Sequence, residues 1–222
     1  MTVSIHENIN QIRSEVEKTA AGRAVKIIGV TKTIPPERIQ EAHQAGLYIF
    51  GENKIQEALN KMPQLERLPI EWHFIGHLQT NKARDAVRHF TCIHSIDSLK
   101  LLQQVEKEAN KIQKKVDILL EVNLGGEESK YGFSESALSQ AMQASAALQW
   151  SNLCGLMIIP PYYEDPEKVR PYFRSLRVLA EHHHLAQLSM GMSHDYRIAI
   201  EEGATMVRIG TAIFGERGSV SK

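Results

Sequence analysis

A lysine ends the first apolar run of the sequence, in a place where a charged side chain is unexpected. Lys32 follows Lys26–Thr31 (KIIGVT), a run with the length and composition of a buried strand. Removing an ammonium group from water is costly unless it has a partner. A lysine held there can act as an amine nucleophile and form a Schiff base with a carbonyl compound. The alternatives are an ion pair at the floor of the fold and a side chain that extends to solvent.

Residues near the end of the sequence have the types expected of an anion site. Ser193 precedes a helix-like stretch, His194–Glu202, while Gly210 and Thr211 come directly after an apolar run that contains Arg208. Backbone N–H groups at a helix N-terminus bind phosphate, and a glycine lets the backbone approach closely. A hydroxyl and an arginine would add a hydrogen bond and a countercharge. The pattern predicts a phosphate site, with an ordinary N-cap serine and an ordinary turn glycine as the alternative.

The elements that must position these residues alternate along the whole chain. Helix-like stretches that open with Pro, Asn, Asp, Ser or His separate eight strand-like runs, and an amphipathic helix precedes the first run. The eight runs are Lys26–Thr31, Leu47–Gly51, Glu71–Gly76, Thr91–Ser95, Val116–Val122, Leu153–Ile159, Gln187–Met190 and Thr205–Ile209. Such alternation predicts a parallel β/α fold. Eight repeats without an early glycine-rich phosphate loop favour a (β/α)8 TIM barrel over an open doubly wound sheet.

In such a barrel, chemistry gathers where the carboxyl ends of the strands meet the following loops. Seven of the eight predicted strand ends carry polar residues or residues with special backbone geometry. Lys32 would then lie at the same mouth as Ser193 and Gly210. A ligand with both a carbonyl and a phosphate would bridge them, and pyridoxal 5′-phosphate (PLP) has one aldehyde and one phosphate.

Length and composition exclude several other classes. The chain has 222 residues, with 26 basic and 26 acidic side chains, so no overall field would attract nucleic acid or anionic lipid. No run approaches the roughly 18 apolar residues of a membrane span, and the start lacks the apolar centre of a signal peptide. The two cysteines, Cys92 and Cys154, lie in predicted strands, which indicates a reducing, cytoplasmic location. We expect one domain over residues 1–222, with a short frayed tail at Gly218–Lys222.

Taken together, the motifs resemble the pyridoxal-phosphate homeostasis protein family (YggS/PROSC type), single-domain relatives of the alanine racemase N-terminal barrel. The resemblance spans nearly the whole chain in order. It rests on Val30–Thr33, Gly51–Asn53, Trp72–Lys82, Lys130–Phe133, Gly155–Met157, Leu188–Ser193, Val207–Thr211 and Ile213–Gly215. Two positions depart from many relatives, which have serine at Thr31 and an aromatic residue followed by valine at Lys54-Ile55.

The resemblance implies a role for each residue of the mouth. It implies a PLP fold type III-like barrel in which Lys32 carries the cofactor as a Schiff base and Asn53 lies beside the ring. Ser193, Gly210 and Thr211 would hold the phosphate. Arg208 and Met192 would complete the pocket.

The resemblance also implies a regulator or carrier of PLP in vitamin B6 and amino-acid homeostasis, rather than an enzyme. Racemisation requires a base on each face of the substrate, and the related racemases take the second base from a domain that this chain lacks. Tyr131, Tyr162 and Tyr163 lie in predicted loops, without a spacing that marks any of them as that base. A weak PLP-dependent racemase, or another α-proton exchange enzyme, is the alternative.

We further expect a monomer whose partners are PLP and, after release, PLP-dependent apoenzymes. We expect no nucleic acid, membrane or metal partner. A metal-dependent hydrolase would have to use His73, His77 and His94, or His182–His184. A core role for the first group and a solvated helix face for the second are the simpler interpretations.

Overall fold

Eight parallel strands close into a barrel in the computed structural model, which describes residues 4–124 and 131–215. Each strand pairs with the next in sequence, and β1 pairs with β8 to complete the ring. The strands are β1 Lys26–Val30, β2 Ile49–Glu52, β3 Glu71–Phe74, β4 Cys92–Ile96, β5 Val116–Glu121, β6 Ser151–Met157, β7 Gln187–Met192 and β8 Met206–Ile209. This topology confirms the predicted (β/α)8 barrel. Lys130 and the predicted frayed tail, 218–222, lie outside the described residues.

Helices cover the outside of the barrel. Among the described residues they are α1 Ile5–Ala20, α2 Pro36–Gln44, α3 Ile55–Lys61, α4 Ala83–His89, α5 Leu99–Lys111, α6 Glu135–Ser145, α7 Arg170–His182, α8 Tyr196–Glu201 and α9 Thr211–Phe214. Serine side chains cap three of them: Ser4, Ser98 and Ser134 each accept a hydrogen bond from a first-turn N–H group. None of the helices in the described part of the chain is long and apolar enough to span a membrane.

The predicted opening helix, α1, packs on the outside of the barrel beside α8 and α9. Ile5, Ile9, Ile12 and Val16 recur at helical spacing and are buried, so α1 has one apolar face. Near its start, Asn8 Nδ2 donates to the carbonyl of Ile213 at 2.9 Å. These contacts attach α1 to the elements that follow β7 and β8.

Alternation along each strand divides the core into two parts. Side chains that point outward join the large apolar cluster beneath the helices. Those that point inward fill the barrel with a smaller cluster: Ile28, Cys92, Leu119, Met157 and Met206. The barrel is therefore packed through its middle, and a ligand would bind at its end.

Two elements near the end of the chain differ from the sequence prediction. β7 continues to Met192 and α8 begins only at Tyr196, because Gly191 adopts φ +91° and Asp195 Oδ1 accepts from the N–H of Met192 at 2.6 Å. The short helix α9 was not predicted, since its four residues are too few to show a period. Both differences lie at the predicted phosphate site.

Candidate functional site

The predicted site residues lie at the carboxyl ends of four consecutive strands around the barrel, β7, β8, β1 and β2. Met192 is paired with Arg208 across β7 and β8. Gly29 is paired with Ile209 across β8 and β1, and Val30 with Gly51 across β1 and β2. The barrel therefore brings together the mouth residues that the sequence predicted: Lys32, Asn53, Met192, Ser193, Arg208, Gly210 and Thr211.

Lys32 lies in a tight turn directly after β1. Thr31 is buried, Lys32 is half-buried, and Thr33 is exposed with φ +64°, a left-handed conformation that is uncommon for a β-branched residue. The Thr31 hydroxyl donates to the carbonyl of Gly51 at 3.2 Å and to Glu52 Oε1 at 2.6 Å. Thr31 thus anchors the start of the turn to the barrel wall, and Lys32 comes next, at the carboxyl end of β1.

A second lysine, buried behind this turn, holds it in place. The ammonium group of Lys61, on α3, donates to the carbonyl of Thr31 at 2.6 Å and to the carboxylates of Glu52 at 2.8 Å and Glu57 at 2.6 Å. Glu57 also accepts from the N–H of Thr33 at 2.5 Å. The residues on both sides of Lys32 are therefore fixed by one buried ionic network.

Burial affects the two carboxylates of this network differently. It raises the pKa of Glu52, because hydrogen bonds from Lys61 and Thr31 only partly offset the loss of water. Burial also raises the pKa of Glu57, but the bonds from Lys61 and the Thr33 N–H outweigh it and lower the pKa overall. Lys61 supplies the positive charge that stabilises both carboxylates. The sequence pattern does not mark this role, because a lysine in an amphipathic helix indicates a solvated face.

The predicted phosphate site consists of Ser193 and the start of α9. Ser193 Oγ accepts from the N–H groups of Gly210 at 3.2 Å and Ala212 at 3.3 Å. The prediction had attached Ser193 to the helix that follows it. That placement was wrong because α8 starts three residues later, and the converging N–H groups belong to α9. Ala212 is an addition that its residue type could not reveal, since it contributes only its backbone.

Two observations test whether these residues fit PLP. The Oδ1 atom of Asn53 is buried, and none of the described residues donates a hydrogen bond to it, so a polar partner is lacking at the end of β2. A Cβ atom at Gly210 would meet nothing closer than 3.5 Å, at Val30, and the φ of −111° suits any residue. Packing therefore does not require a glycine at position 210. Close approach of a ligand to the backbone would require one, because a side chain would stand in its way. The residues fit a ligand with an anionic group beside β8 and a polar group beside β2.

Arg208 lies inside the barrel rather than beside the N–H groups of Gly210 and Ala212. It is 3% exposed, and its guanidinium group donates to Ser189 Oγ at 2.6 Å and to the carbonyl of Ile158 at 2.9 Å. Burial lowers the pKa of Arg208 to about 10, against the opposing effects of Asp195 and Glu121, so the group stays positive at neutral pH. Its charge lies below the mouth, two residues before Gly210.

On the opposite wall of the mouth, Glu121 ends β5 and is 8% exposed. Burial and the nearby Asp97 carboxylate raise the pKa of Glu121 to about 7, although Arg208 opposes them. The folded-state pKa is above the ordinary 4.5. Between pH 4.5 and about 7, Glu121 is therefore protonated in the folded protein and ionised in the unfolded chain. The contribution of Glu121 to stability is therefore lost as the pH rises through this window.

We expect Glu121→Gln to become more stable relative to the wild type as the pH rises from about 4.5 to about 7, by up to about 1.4 kcal/mol per pH unit. Above that window the difference should level off. Urea unfolding of both proteins across this range measures it. A difference that stays constant with pH would contradict the assignment.

The three histidines considered above as metal ligands lie at two separate places in the barrel. His73 and His94 are buried in the barrel, which agrees with the predicted core role, and each has a ring nitrogen within 4.8 Å of the other's and of Cys92 Sγ. His77 lies elsewhere, with Nδ1 at 3.1 Å from an Asp97 oxygen and Tyr131 stacked on its ring at 3.6 Å. The set His73, His77 and His94 is thus not brought to one point. Cys92 is a free thiol, as is Cys154.

Comparisons with known proteins agree with this geometry. The sequence profile of the family described as alanine racemase, N-terminal domain, matches residues 2–218. The pyridoxal phosphate homeostasis protein of Aquifex aeolicus is 46% identical over 222 residues, which cover 95% of this chain and 97% of that protein. PipY of Synechococcus elongatus, solved with PLP bound, superposes with a TM-score of 0.88 at 35% identity, over 96% of this chain and 100% of that one.

An alanine racemase of Clostridium difficile shares the fold alone. It has 16% identity and a TM-score of 0.74, and the match covers 98% of this chain and 57% of that one. These similarities confirm the family resemblance predicted from the motifs.

Proposed function

The chain belongs to the alanine racemase N-terminal domain family and is similar to pyridoxal phosphate homeostasis proteins, and from this premise we propose that it binds PLP at the carboxyl-end mouth of the barrel. Its role is that of a regulator or carrier in vitamin B6 and amino-acid homeostasis, with the cofactor held through a Schiff base on Lys32. The supporting observation is the convergence of the Gly210 and Ala212 N–H groups on Ser193 Oγ, at the end of the strand that pairs with β1, the strand that leads to Lys32.

Each residue of the mouth has a part in this proposal. Ser193, Gly210 and Thr211 bind the phosphate, and the start of α9 directs N–H groups toward it. The buried Oδ1 of Asn53 receives a polar partner that the described residues do not provide. When bound, PLP supplies an aldehyde and an electron-withdrawing ring.

The positive charge of Arg208 lies below the mouth and favours an anionic ligand. Met192 is 38% exposed at the end of β7 and gives the mouth an apolar edge. The site therefore combines one reactive amine with groups that bind and orient.

A regulator or carrier accounts for the site better than an enzyme does. Tyr131 and Tyr162 are 57% and 78% exposed, and the Tyr163 hydroxyl lies 3.2 Å from that of Tyr172, so no contact among the described residues holds any of the three against the Lys32 turn as a second base would be held. The Aquifex aeolicus relative is a pyridoxal phosphate homeostasis protein, which agrees with the non-enzyme prediction. We extend the proposal to a monomer in the cytoplasm that passes PLP to apoenzymes; the free thiols of Cys92 and Cys154 support the location.

Spectroscopy of the PLP-loaded protein tests the proposal. We expect an absorption band near ~420 nm in the wild type, and borohydride should fix the cofactor to the peptide that contains Lys32. Lys54→Ala, which removes an exposed lysine of the neighbouring loop, should keep the band, and Lys32→Ala should lose it. Adducts spread over surface lysines, or an unchanged band in Lys32→Ala, would contradict the assignment.

A second measurement separates carrier from enzyme. The loaded protein, incubated with L- and D-amino acids in deuterated water, should leave the α-protons in place over many minutes. Rapid exchange of α-protons would favour the racemase alternative.

A further inference from the structure

A continuous chain of hydrogen bonds crosses the interior of the barrel and ends at Arg208. It begins at Glu71, the first residue of β3, whose side chain is 41% exposed at the amino-end mouth. Glu71 Oε1 lies 2.8 Å from His73 Nε2, and His73 Nδ1 lies 2.9 Å from His94 Nε2. His94 Nδ1 lies 2.8 Å from Ser189 Oγ, which accepts from Arg208 at 2.6 Å. This hydrogen-bond chain joins the two ends of the barrel.

The direction of every bond follows from the Glu71 end. An ionised Glu71 can only accept, so His73 carries its proton on Nε2 and accepts at Nδ1. His94 must then donate from Nε2 and accept at Nδ1, which requires the Ser189 hydroxyl to donate to it. Arg208 can only donate, so it needs the Ser189 lone pairs that this arrangement leaves free. With both histidine rings neutral, the Glu71 end therefore fixes one direction for the hydrogen-bond chain, and the bond from Arg208 to Ser189 is compatible with it.

The charges around the chain favour this arrangement. The bond from His73 is the largest of several effects that lower the pKa of Glu71 and keep it ionised. Burial lowers the pKa of His94, and the positive charge of Arg208 lowers it further, which keeps the His94 ring neutral. His73, His94, Ser189 and Arg208 are all buried, so water does not compete for these bonds.

We propose that Glu71, through His73, His94 and Ser189, sets the direction of this chain and thereby positions the Arg208 guanidinium group beneath the ligand mouth. The four are positioning residues: each acts on the ligand only through Arg208. The effect on PLP rests on the proposed function, whereas the direction of the chain does not.

Glu71→Gln tests the chain at its start, because an amide can accept or donate and no longer fixes a direction. We expect the ¹⁵N side-chain resonances of His73 and His94 to change from single Nε2–H tautomers to mixtures. PLP affinity should fall by about tenfold, the loss expected for one weakened charge-assisted hydrogen bond. Lys26→Met is the matched control, since it removes the 3.9 Å ion pair of Glu71 but leaves the carboxylate bound to His73.

Ser189→Ala tests the far end and should lower PLP affinity by a similar factor, about tenfold. Its control is Ser151→Ala, which removes a buried hydroxyl that has no described hydrogen-bond partner. Ser189→Thr keeps a hydroxyl and should restore much of the affinity. These comparisons separate loss of the chain from loss of a buried polar group.

Three results would overturn the proposal. They are unchanged histidine tautomers in Glu71→Gln, changed tautomers with unchanged PLP affinity, and stoichiometric zinc on His73 and His94 of the purified protein. Absence of PLP binding by the wild type would instead refute the proposed function, and the tautomers of the ligand-free protein would still decide the direction of the chain.

Discussion

Lys61→Met is expected to lower the free energy of unfolding by about 3–5 kcal/mol, the cost of removing one partner from a buried ion pair. The side chain of Glu52 is fully buried, and its Oε2 already lacks a described donor. Without Lys61, the other oxygen would keep only the Thr31 hydroxyl, at 2.6 Å. We further expect weaker PLP binding, since the turn that carries Lys32 would lose its bond from Lys61 to the Thr31 carbonyl. Chemical denaturation measures the first effect and titration with PLP the second.

A control and a second-site change identify the cause. Lys18→Met replaces an exposed lysine on α1 and should change stability by no more than about 0.5 kcal/mol. Adding Glu52→Gln to Lys61→Met should restore part of the loss, because it removes the buried charge left without a partner. A double variant no more stable than Lys61→Met would contradict this explanation and point to lost packing.

How far the site could be predicted depends on whether a residue interrupts an apolar run or lies in an amphipathic helix. Lys32, Asn53 and Gly210 stand out in the sequence because polar or flexible residues there interrupt apolar runs. Lys61 does not stand out, because nothing in a helix pattern distinguishes a lysine facing solvent from one facing a buried glutamate. Its role depends on how α3 docks beside β1 and β2, which is a tertiary contact.

Ser193 shows a different limit. The sequence singles out the residue but associates it with the helix that follows it, whereas Gly191 and Asp195 delay the start of α8. The N–H groups that it meets lie 17 and 19 residues later, at the start of α9. A helix of four residues has no detectable period, so only the closure of the barrel between β7 and β8 brings these groups together.

An added methyl group should lower stability much more at one glycine of the mouth than at another. At Gly76, a Cβ atom would lie 2.2 Å from the carbonyl oxygen and 2.6 Å from the Cα of Asn53, so the backbone itself must move. We expect Gly76→Ala to cost about 3 kcal/mol of stability, the upper part of the usual range for overpacking, and to displace Asn53. Gly210→Ala meets only Val30, at 3.5 Å, and should change stability by less than about 1 kcal/mol.

Both variants should bind PLP more weakly, but only Gly210→Ala should do so with little loss of stability. The added methyl group would occupy open space beside the backbone where the phosphate is proposed to approach, so we expect PLP affinity to fall by at least about tenfold in a protein that remains folded. Thermal unfolding of each variant, paired with PLP titration, makes the comparison. If Gly210→Ala bound PLP as tightly as the wild type, the proposed approach of the phosphate to Gly210 would be contradicted.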